Sequence, residues 1–250
     1  MLMSPKMVEF MDACRAISDE SGLRDVLRDM TEKLGFNQYA LLHHVDLAHP
    51  PAHSITLISY EDSWMERIIK NRYFKDDPIL AASNRRLTGF GWREVPEIIR
   101  LSRRQRRILH EARAHGLRDG FTVPAQLAGE YRGTCSFAAD RTIELTPDVV
   151  GCAQLVGMFC FEVARRITNQ ASAAPAEIPE LTQRQLDCLV HVGSGKTNWE
   201  TSVILGVSED TVDKHVLGAM RRYGVGKRTL LIVRALFDGQ LSYRDMLRMH

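Results

Sequence analysis

Net charge is nearly absent from this 250-residue sequence: 33 Lys and Arg against 31 Asp and Glu leave a formal +2. That excludes a histone-like or membrane-coating surface, although not a local basic face. Long apolar runs are missing as well. The longest, Val149 to Val163, is interrupted by Gln154 and Glu162 and falls short of the roughly 20 apolar residues that a spanning helix needs. The N-terminus carries Lys6 but neither an apolar stretch nor a small-residue cleavage site, and Glu9 and Asp12 follow at once. No secretory signal is read there. The five cysteines, at 14, 135, 152, 160 and 188, are odd in number and lack a C-x-x-C spacing, so reduced, buried thiols are expected. The nine histidines have no metal spacing; His43 and His44 are adjacent, and consecutive strand residues point to opposite faces. No metal is expected. Neither a G-x-S-x-G elbow nor an H-x-x-E-H zinc motif occurs, which argues against an ester- or lactone-cleaving enzyme. The expectation is a cytoplasmic, non-enzymatic protein with no membrane association and no cofactor.

What is present is ordinary in amount, 44% hydrophobic and 26% charged, and long enough for two domains. The clearest break is residues 169–180, small residues with prolines at 175 and 179 and no apolar periodicity; it reads as a semi-extended linker. Domains are expected at 1–168 and 181–250. In the first, Ser4–Pro5 is an N-cap followed by proline at the first helical position. A second helix starts near Ser21, sets Leu23, Val26, Leu27, Met30 and Leu34 on one stripe, and stops at Gly35. Strands are predicted at Tyr39–Val45, Ile55–Tyr60, Phe121–Gln126 and Thr134–Ala138. Helices are predicted around Met65–Lys70, over Ser102–His115, and from Pro147 to Thr168. The fold class expected is α+β: an α/β/α sandwich with a central antiparallel sheet, followed by a small all-α domain. The arginines at 100, 103, 104, 106 and 107 read as the exposed face of the 102–115 helix.

The C-terminal segment has no strand signals. Thr182–Gln185 and Thr197–Glu200 have capping-box spacing. Leu205–Gly206–Val207–Ser208 supplies a stop, a tight turn and a fresh N-cap, and Gly224 ends the following helix. Two short helices joined by a glycine turn inside a helical domain form a helix-turn-helix. On the helix after Ser208, Val212, Val216, Ala219, Met220 and Tyr223 fall on the inner face, leaving Asp210, Asp213, Lys214, Leu217 and Arg221 outside. From Lys214 to Arg234 there are six basic residues and no acid, a local source of phosphate affinity. Gly193–Ser194–Gly195–Lys196–Thr197 is not a nucleotide-binding P-loop, because the required earlier glycine is Val190 and no strand precedes it.

Leu181–Thr182–x–Arg184, Gly195–Lys196–Thr197–Asn198–x–Glu200, Ile204–Leu205–Gly206–Val207–Ser208, Thr211–Val212, His215, Tyr223–Gly224–Val225 and Arg228–Thr229 together resemble the DNA-binding domain of LuxR-type transcription regulators. The resemblance implies backbone contacts from Lys196, Thr197 and Asn198, and groove contacts from Thr211, Asp213, Lys214 and Leu217, with Arg221 on the same outer face. Asp213 departs from the Lys or Arg usual there. A carboxylate repels phosphate but accepts from a cytosine amino group.

Tyr60–Glu–Asp–Ser–Trp64, Asp77–Pro78, Trp92 and Gly120 are similar in spacing to the acyl-homoserine-lactone-binding domain that precedes this DNA-binding domain in quorum-sensing members. The resemblance implies that Trp64 donates its indole N–H to the ring carbonyl, Tyr60 donates to the amide carbonyl, and Asp77 accepts from the amide N–H. Ser136 and Thr122 match positions that add a hydroxyl near the head group; Trp92 matches a wall residue, Ile79 belongs to the same pocket, and Gly120 sits where bulk is harmful. Each also has an ordinary reading: Trp64 and Tyr60 as core, Asp77 as a helix cap. Ile68 stands where many relatives have Tyr, which implies a more apolar pocket and a bulky, branched or aromatic acyl group. The function implied is a ligand-responsive transcription factor controlling quorum-sensing genes, with an acyl-homoserine lactone, operator DNA, a second copy of the chain and RNA polymerase as partners. The 147–168 helix is a candidate dimer element, through Val149, Ala153, Val156, Phe159, Phe161 and Val163; plain core packing accounts equally well for those residues. The alternative is a member that answers a different small molecule or acts without one.

Overall fold

The computed structural model describes residues 5–127, 130–171 and 178–247. The chain divides into two units. The first opens with helices α1 (Pro5–Ala16) and α2 (Glu20–Lys33). The predicted cap Ser4 lies outside the described residues; α2 is capped by Asp19, whose carboxylate accepts from the Gly22 N–H. Strand β1 (Gln38–His43) and the short β2 (Thr56–Ile58) follow, then α3 (Asp62–Lys70), α4 (Pro78–Ser83), β3 (Phe90–Gly91), α5 (Val95–Ile98) and α6 (Arg103–Arg113). Strands β4 (Asp119–Ala125) and β5 (Gly133–Ala139) complete the sheet, and α7 (Pro147–Ala171) closes the unit. The sheet is antiparallel throughout, in the order β2-β1-β5-β4-β3. The expected four strands are present; β3, two residues long, is a fifth, and it is too short to show an alternating pattern in the sequence.

Period-two alternation gives this sheet two different faces. Leu41, Phe121, Val123, Cys135 and Phe137 point to one side, where they form an apolar core with Leu23 and Leu27 of α2 and Ala153, Val156 and Cys160 of α7. Ala40, Leu42, Thr122, Thr134 and Ser136 alternate with them, in register across the three central strands: Ala40 opposite Ser136, Leu42 opposite Thr134, Thr122 opposite Ser136. This second face is covered by α3 to α6.

Helix α7 continues to Ala171, three residues into the stretch read as linker; residues 172–177 of that stretch lie outside the described residues. Over Pro147–Asn169 it is long and apolar enough to cross a membrane by length and composition alone, contrary to the expectation from its interrupted apolar run. Its inner side is nonetheless committed to the sheet. Ala153, Val156, Phe161 and Val163 are buried in the core, and Val149 and Phe159 pack against it. Four of the six residues singled out on this helix are thus core residues, and the other two, Val149 and Phe159, are half-buried against the same core.

The second unit is helical: α8 (Gln183–Gly193), α9 (Asn198–Leu205), α10 (Glu209–Arg222), α11 (Arg228–Phe237) and α12 (Tyr243–Leu247), the last not foreseen. Both capping boxes form, Thr182 with Gln185 and Thr197 with Glu200, and Ser208 caps α10 by accepting from the Thr211 N–H. Gly206 ends α9 at φ +64°, a left-handed conformation that glycine adopts without strain. Cys188, Leu189, Val212, Val216, Ala219, Leu231 and Ala235 form the core. The Gly193–Thr197 segment joins two helices and is no phosphate-binding strand-to-helix loop.

Candidate functional site

The second face of the sheet and helices α3, α4 and α6 line a cavity with about 70 Å³ open to the centre of a water-sized sphere, within about 680 Å³ of interatomic space that includes open solvent. Most of its wall is apolar, with Leu42, Ile58, Met65, Ile68, Ile79 and Leu80 among the lining residues. Tyr60, Trp64, Asp77, Trp92, Thr134 and Ser136 bring the polar atoms. Seven of the eight residues anticipated for a small-molecule site therefore line one cavity. The exception is Thr122, which is fully buried behind the wall.

Trp64 reaches the cavity from the first turns of α3. It is 3% exposed, and its ring stacks on His115 at 5.1 Å between centroids. Among the described residues its indole N–H has no hydrogen-bond partner, and neither has the Tyr60 hydroxyl. Burial and the neighbouring Asp77 charge push the Tyr60 phenol up, so it stays a donor. Asp77 is at once a helix cap and a cavity-lining residue. Its Oδ1 caps α4, accepting from the N–H groups of Ile79 at 2.7 Å and Leu80 at 3.3 Å. Its Oδ2 takes no part in those bonds. Burial raises the carboxyl pKa while the two backbone donors pull it back down. The sequence Asp77–Pro78–Ile79 explains the placement, since an N-cap followed by proline at N1 starts a helix at a fixed point.

Trp92, Thr122 and Ser136 form a chain: the Trp92 indole donates to Thr122 Oγ1 at 2.9 Å, and Thr122 and Ser136 hydroxyls share a bond of 2.9 Å. With Trp92 on one lone pair, Thr122 can pass its proton to Ser136 and leave the Ser136 O–H for the cavity. Trp92 is thus wall, and Thr122 acts through Ser136. Gly120 explains the wall's position: a Cβ there would lie 2.5 Å from the Phe137 carbonyl and 2.6 Å from the Trp92 ring. Sequence reasoning missed Thr134. It sits two residues before Ser136 on β5, and the same period-two alternation points it to the same face.

In the second unit, Asp210, Lys214, Leu217 and Arg221 lie on the exposed side of α10, and Thr211 and Asp213 are half-buried beside them. Lys214 Nζ is 2.6 Å from Asp210, one turn earlier. Asp213 is engaged as well. Its Oδ1 accepts from Arg228 at 2.6 Å and from Asn198 at 3.1 Å, and Arg228 donates its other nitrogen to the Asn198 amide oxygen at 2.8 Å. The network ties the first residues of α9 and α11 to α10. Thr197, expected at a DNA backbone, is exposed and caps α9, and Lys196 is half-buried in the turn before it. Arg228 was not singled out as a site residue. Of the arginine cluster on α6, Arg104 pairs with Asp76 at 2.7 Å, Arg107 pairs with Glu111 at 2.6 Å, and Arg106 donates to the Leu101 carbonyl at 2.7 Å, a solvated structural face.

Residues 19–167 match the family described as Autoinducer binding domain, and residues 179–235 match that described as Bacterial regulatory proteins, luxR family. The chain is 28% identical to the putative HTH-type transcriptional regulator y4qH of Sinorhizobium fredii, covering 92% of this chain and 71% of that protein. It is 25% identical to the transcriptional activator protein VanR of Vibrio anguillarum, covering 95% and 98%. It is 24% identical to the transcriptional activator protein LuxR of Aliivibrio fischeri, covering 95% and 94%. Among solved structures, SdiA in complex with octanoyl-rac-glycerol superposes with a TM-score of 0.64 at 20% identity, covering 95% of this chain and 97% of that one.

Proposed function

This chain belongs to the LuxR family of bacterial transcription regulators, with an autoinducer-binding domain followed by a helix-turn-helix domain, and from that premise we propose that its effector is an acyl-homoserine lactone held in the cavity described above. The family is one of regulators, not of enzymes. The observation that carries the lactone reading is the set of unspent polar groups on an otherwise apolar wall: the Trp64 indole N–H, the Tyr60 hydroxyl and Asp77 Oδ2. A lactone-amide head group offers two carbonyl acceptors and one N–H donor, which is the complement of two donors and one acceptor. Trp64 donates to the ring carbonyl, Tyr60 to the amide carbonyl, and Asp77 accepts from the amide N–H. The Ser136 hydroxyl, oriented by Thr122, adds a fourth contact. The acyl group packs against Leu42, Met65, Ile68, Ile79 and Leu80. With Ile68 in place of a larger polar ring, a branched or aromatic acyl group fits this wall better than a slender chain.

Binding then acts by mass action. A ligand that binds only the folded form stabilises it, and filling the cavity restores contacts that an empty apolar wall forgoes. Residues 1–168 sense, 169–180 connect, and 181–250 bind operator DNA. A homodimer presents two copies of α10 to successive half-sites of a roughly palindromic operator. On α11, Leu230, Val233 and Phe237 are exposed on one stripe, an apolar face suited to pairing of that kind. Thr211, Lys214, Leu217 and Arg221 face the groove; Lys196 and Thr197 approach the backbone. Asp213 reads no base edge: it engages Arg228 and Asn198 and so keeps the Arg228 charge from phosphate. The protein works in the cytoplasm, where it meets DNA and RNA polymerase.

The test is thermal unfolding of the purified chain titrated with acyl-homoserine lactones of straight, branched and aromatic acyl groups. A saturable rise in midpoint for one class, reduced at the same ligand concentration in Trp64→Phe and Asp77→Ala, supports the reading. A folded protein that no lactone shifts removes it and leaves a different effector or none.

A further inference from the structure

The cavity contains one polar group that the head-group assignment does not use. Thr134 lines the wall, is 0% exposed, and its Oγ1 has no hydrogen-bond partner. Its surroundings explain why. On β1 the residue opposite is Leu42, and on β4 it is Pro124, which has no N–H to offer. Ser136, by contrast, faces Thr122 and is satisfied by it. A buried hydroxyl without a partner is costly relative to Val, which has the same shape. A threonine in such a place points to a partner that the protein chain itself does not supply.

We propose that Thr134 is a specificity residue for the acyl group: it hydrogen-bonds an oxygen carried on the acyl chain, distal to the amide. The position follows from the strand. Thr134 and Ser136 are two residues apart on one face, about 6.6–6.8 Å along β5. That span corresponds to several carbon–carbon bonds. If Ser136 sits at the head group, Thr134 meets a hydroxyl or carbonyl well along the acyl group rather than one on the carbon next to the amide carbonyl. The ligand class is therefore an acyl-homoserine lactone with a distal oxygen, on a chain or on a ring. This inference rests on the lactone reading above.

The experiment measures dissociation constants of the full chain by calorimetry for three lactones: hexanoyl-, 3-oxohexanoyl- and 6-hydroxyhexanoyl-homoserine lactone. The wild type and Thr134→Val are compared, with Thr134→Ser as the conservative variant. The wild type is expected to favour the 6-hydroxy ligand over hexanoyl by about ten-fold, the size of one buried hydrogen bond and its desolvation. Thr134→Val loses that preference and binds hexanoyl at least as well as the wild type does, whereas Thr134→Ser retains the preference. A purely structural threonine would shift all three ligands together. Equal affinities in the wild type, or a 6-hydroxy preference that survives Thr134→Val, overturn the inference and leave the lactone reading intact. A folded protein that binds none of the three overturns the inference, and one that also binds no branched or aromatic lactone overturns the lactone reading with it.

Discussion

Asp77→Asn separates the observed helix cap from the proposed contact with the lactone amide. Oδ1 takes both α4 N–H groups, and asparagine caps a helix about as well as aspartate. The variant therefore keeps its cap, and removing a carboxylate whose pKa is raised by burial costs the fold nothing at neutral pH. At the other atom the chemistry inverts. Where Asp77 presents an acceptor, Asn presents an NH₂ donor, and it would face the amide N–H of the lactone, donor against donor. The loss is a charge-assisted hydrogen bond, about 1.5–3 kcal/mol. With ligand at 100 times the wild-type Kd, the wild type gains about 2.7 kcal/mol, or roughly 5–10 °C in midpoint for a chain of this size. At the same concentration the variant retains about 0.3–1.3 kcal/mol, roughly 1–5 °C. Asp77→Ala, which loses cap and acceptor together, falls in the ligand-free midpoint as well, by about 1 kcal/mol or roughly 2–4 °C. Differential scanning fluorimetry with the lactone that shifts the wild type gives all six numbers. The reasoning is refuted if Asn and Ala destabilise the ligand-free protein equally, or if Asn leaves the ligand-induced rise unchanged.

Trp64→Phe preserves an aromatic ring against His115 but removes the indole donor, so lactone affinity should drop about three- to ten-fold in titration calorimetry while the far-ultraviolet spectrum stays the same. Asp213→Ala frees Arg228 and removes a negative charge from the face proposed to meet DNA. Affinity for a generic duplex, followed by fluorescence anisotropy across a salt series, should rise, and the log–log salt slope should steepen by about 0.9; an unchanged slope would mean that this face does not meet phosphate. His44 has its pKa lowered to about 4 by burial, with Arg132 and His43 contributing. Its neutral form is therefore favoured by the fold, and its contribution, complete above pH 6.5, is lost as pH falls towards 4. Denaturant midpoints of wild type and His44→Gln across that window should diverge most at the acid end if the wild type is losing this contribution. Gly120→Ala should destabilise by about 1–3 kcal/mol, because one of the atoms its Cβ meets is the Phe137 carbonyl.

Much of the cavity lining was readable from residue types that announce their geometry. Asp77–Pro78 fixes a helix start, Trp64 falls on the inner side of an amphipathic helix, and Gly120 marks a close approach. Thr122 misled because strand alternation assigns a face, not a depth: it shares the cavity side of the sheet with Ser136 but lies behind Trp92. Thr134 was missed for the opposite reason, since nothing in a lone threonine shows that its strand neighbours are leucine and proline. The short β3 and α12 carry too few residues for a period. The helix-turn-helix was legible almost throughout, because its boundaries are capping boxes and glycine stops. Its charge was misjudged at one edge. Counting from Lys214 excludes Asp213 and Asp210, the two acids that engage Arg228 and Lys214. Val149 to Val163 on α7 shows the same limit: apolarity alone does not distinguish a helix facing a partner from one facing its own sheet.

The chain has three tryptophans, at 64, 92 and 199, and their indole N–H resonances test the lactone assignment atom by atom. Trp92 already donates to Thr122, and Trp199 is exposed in the second unit. Nitrogen-15 spectra of the protein, titrated with the lactone that stabilises it, should show one indole resonance moving far downfield, absent in Trp64→Phe, with Trp199 unmoved. A lactone that stabilises the protein while the Trp64 resonance stays in place would contradict the account.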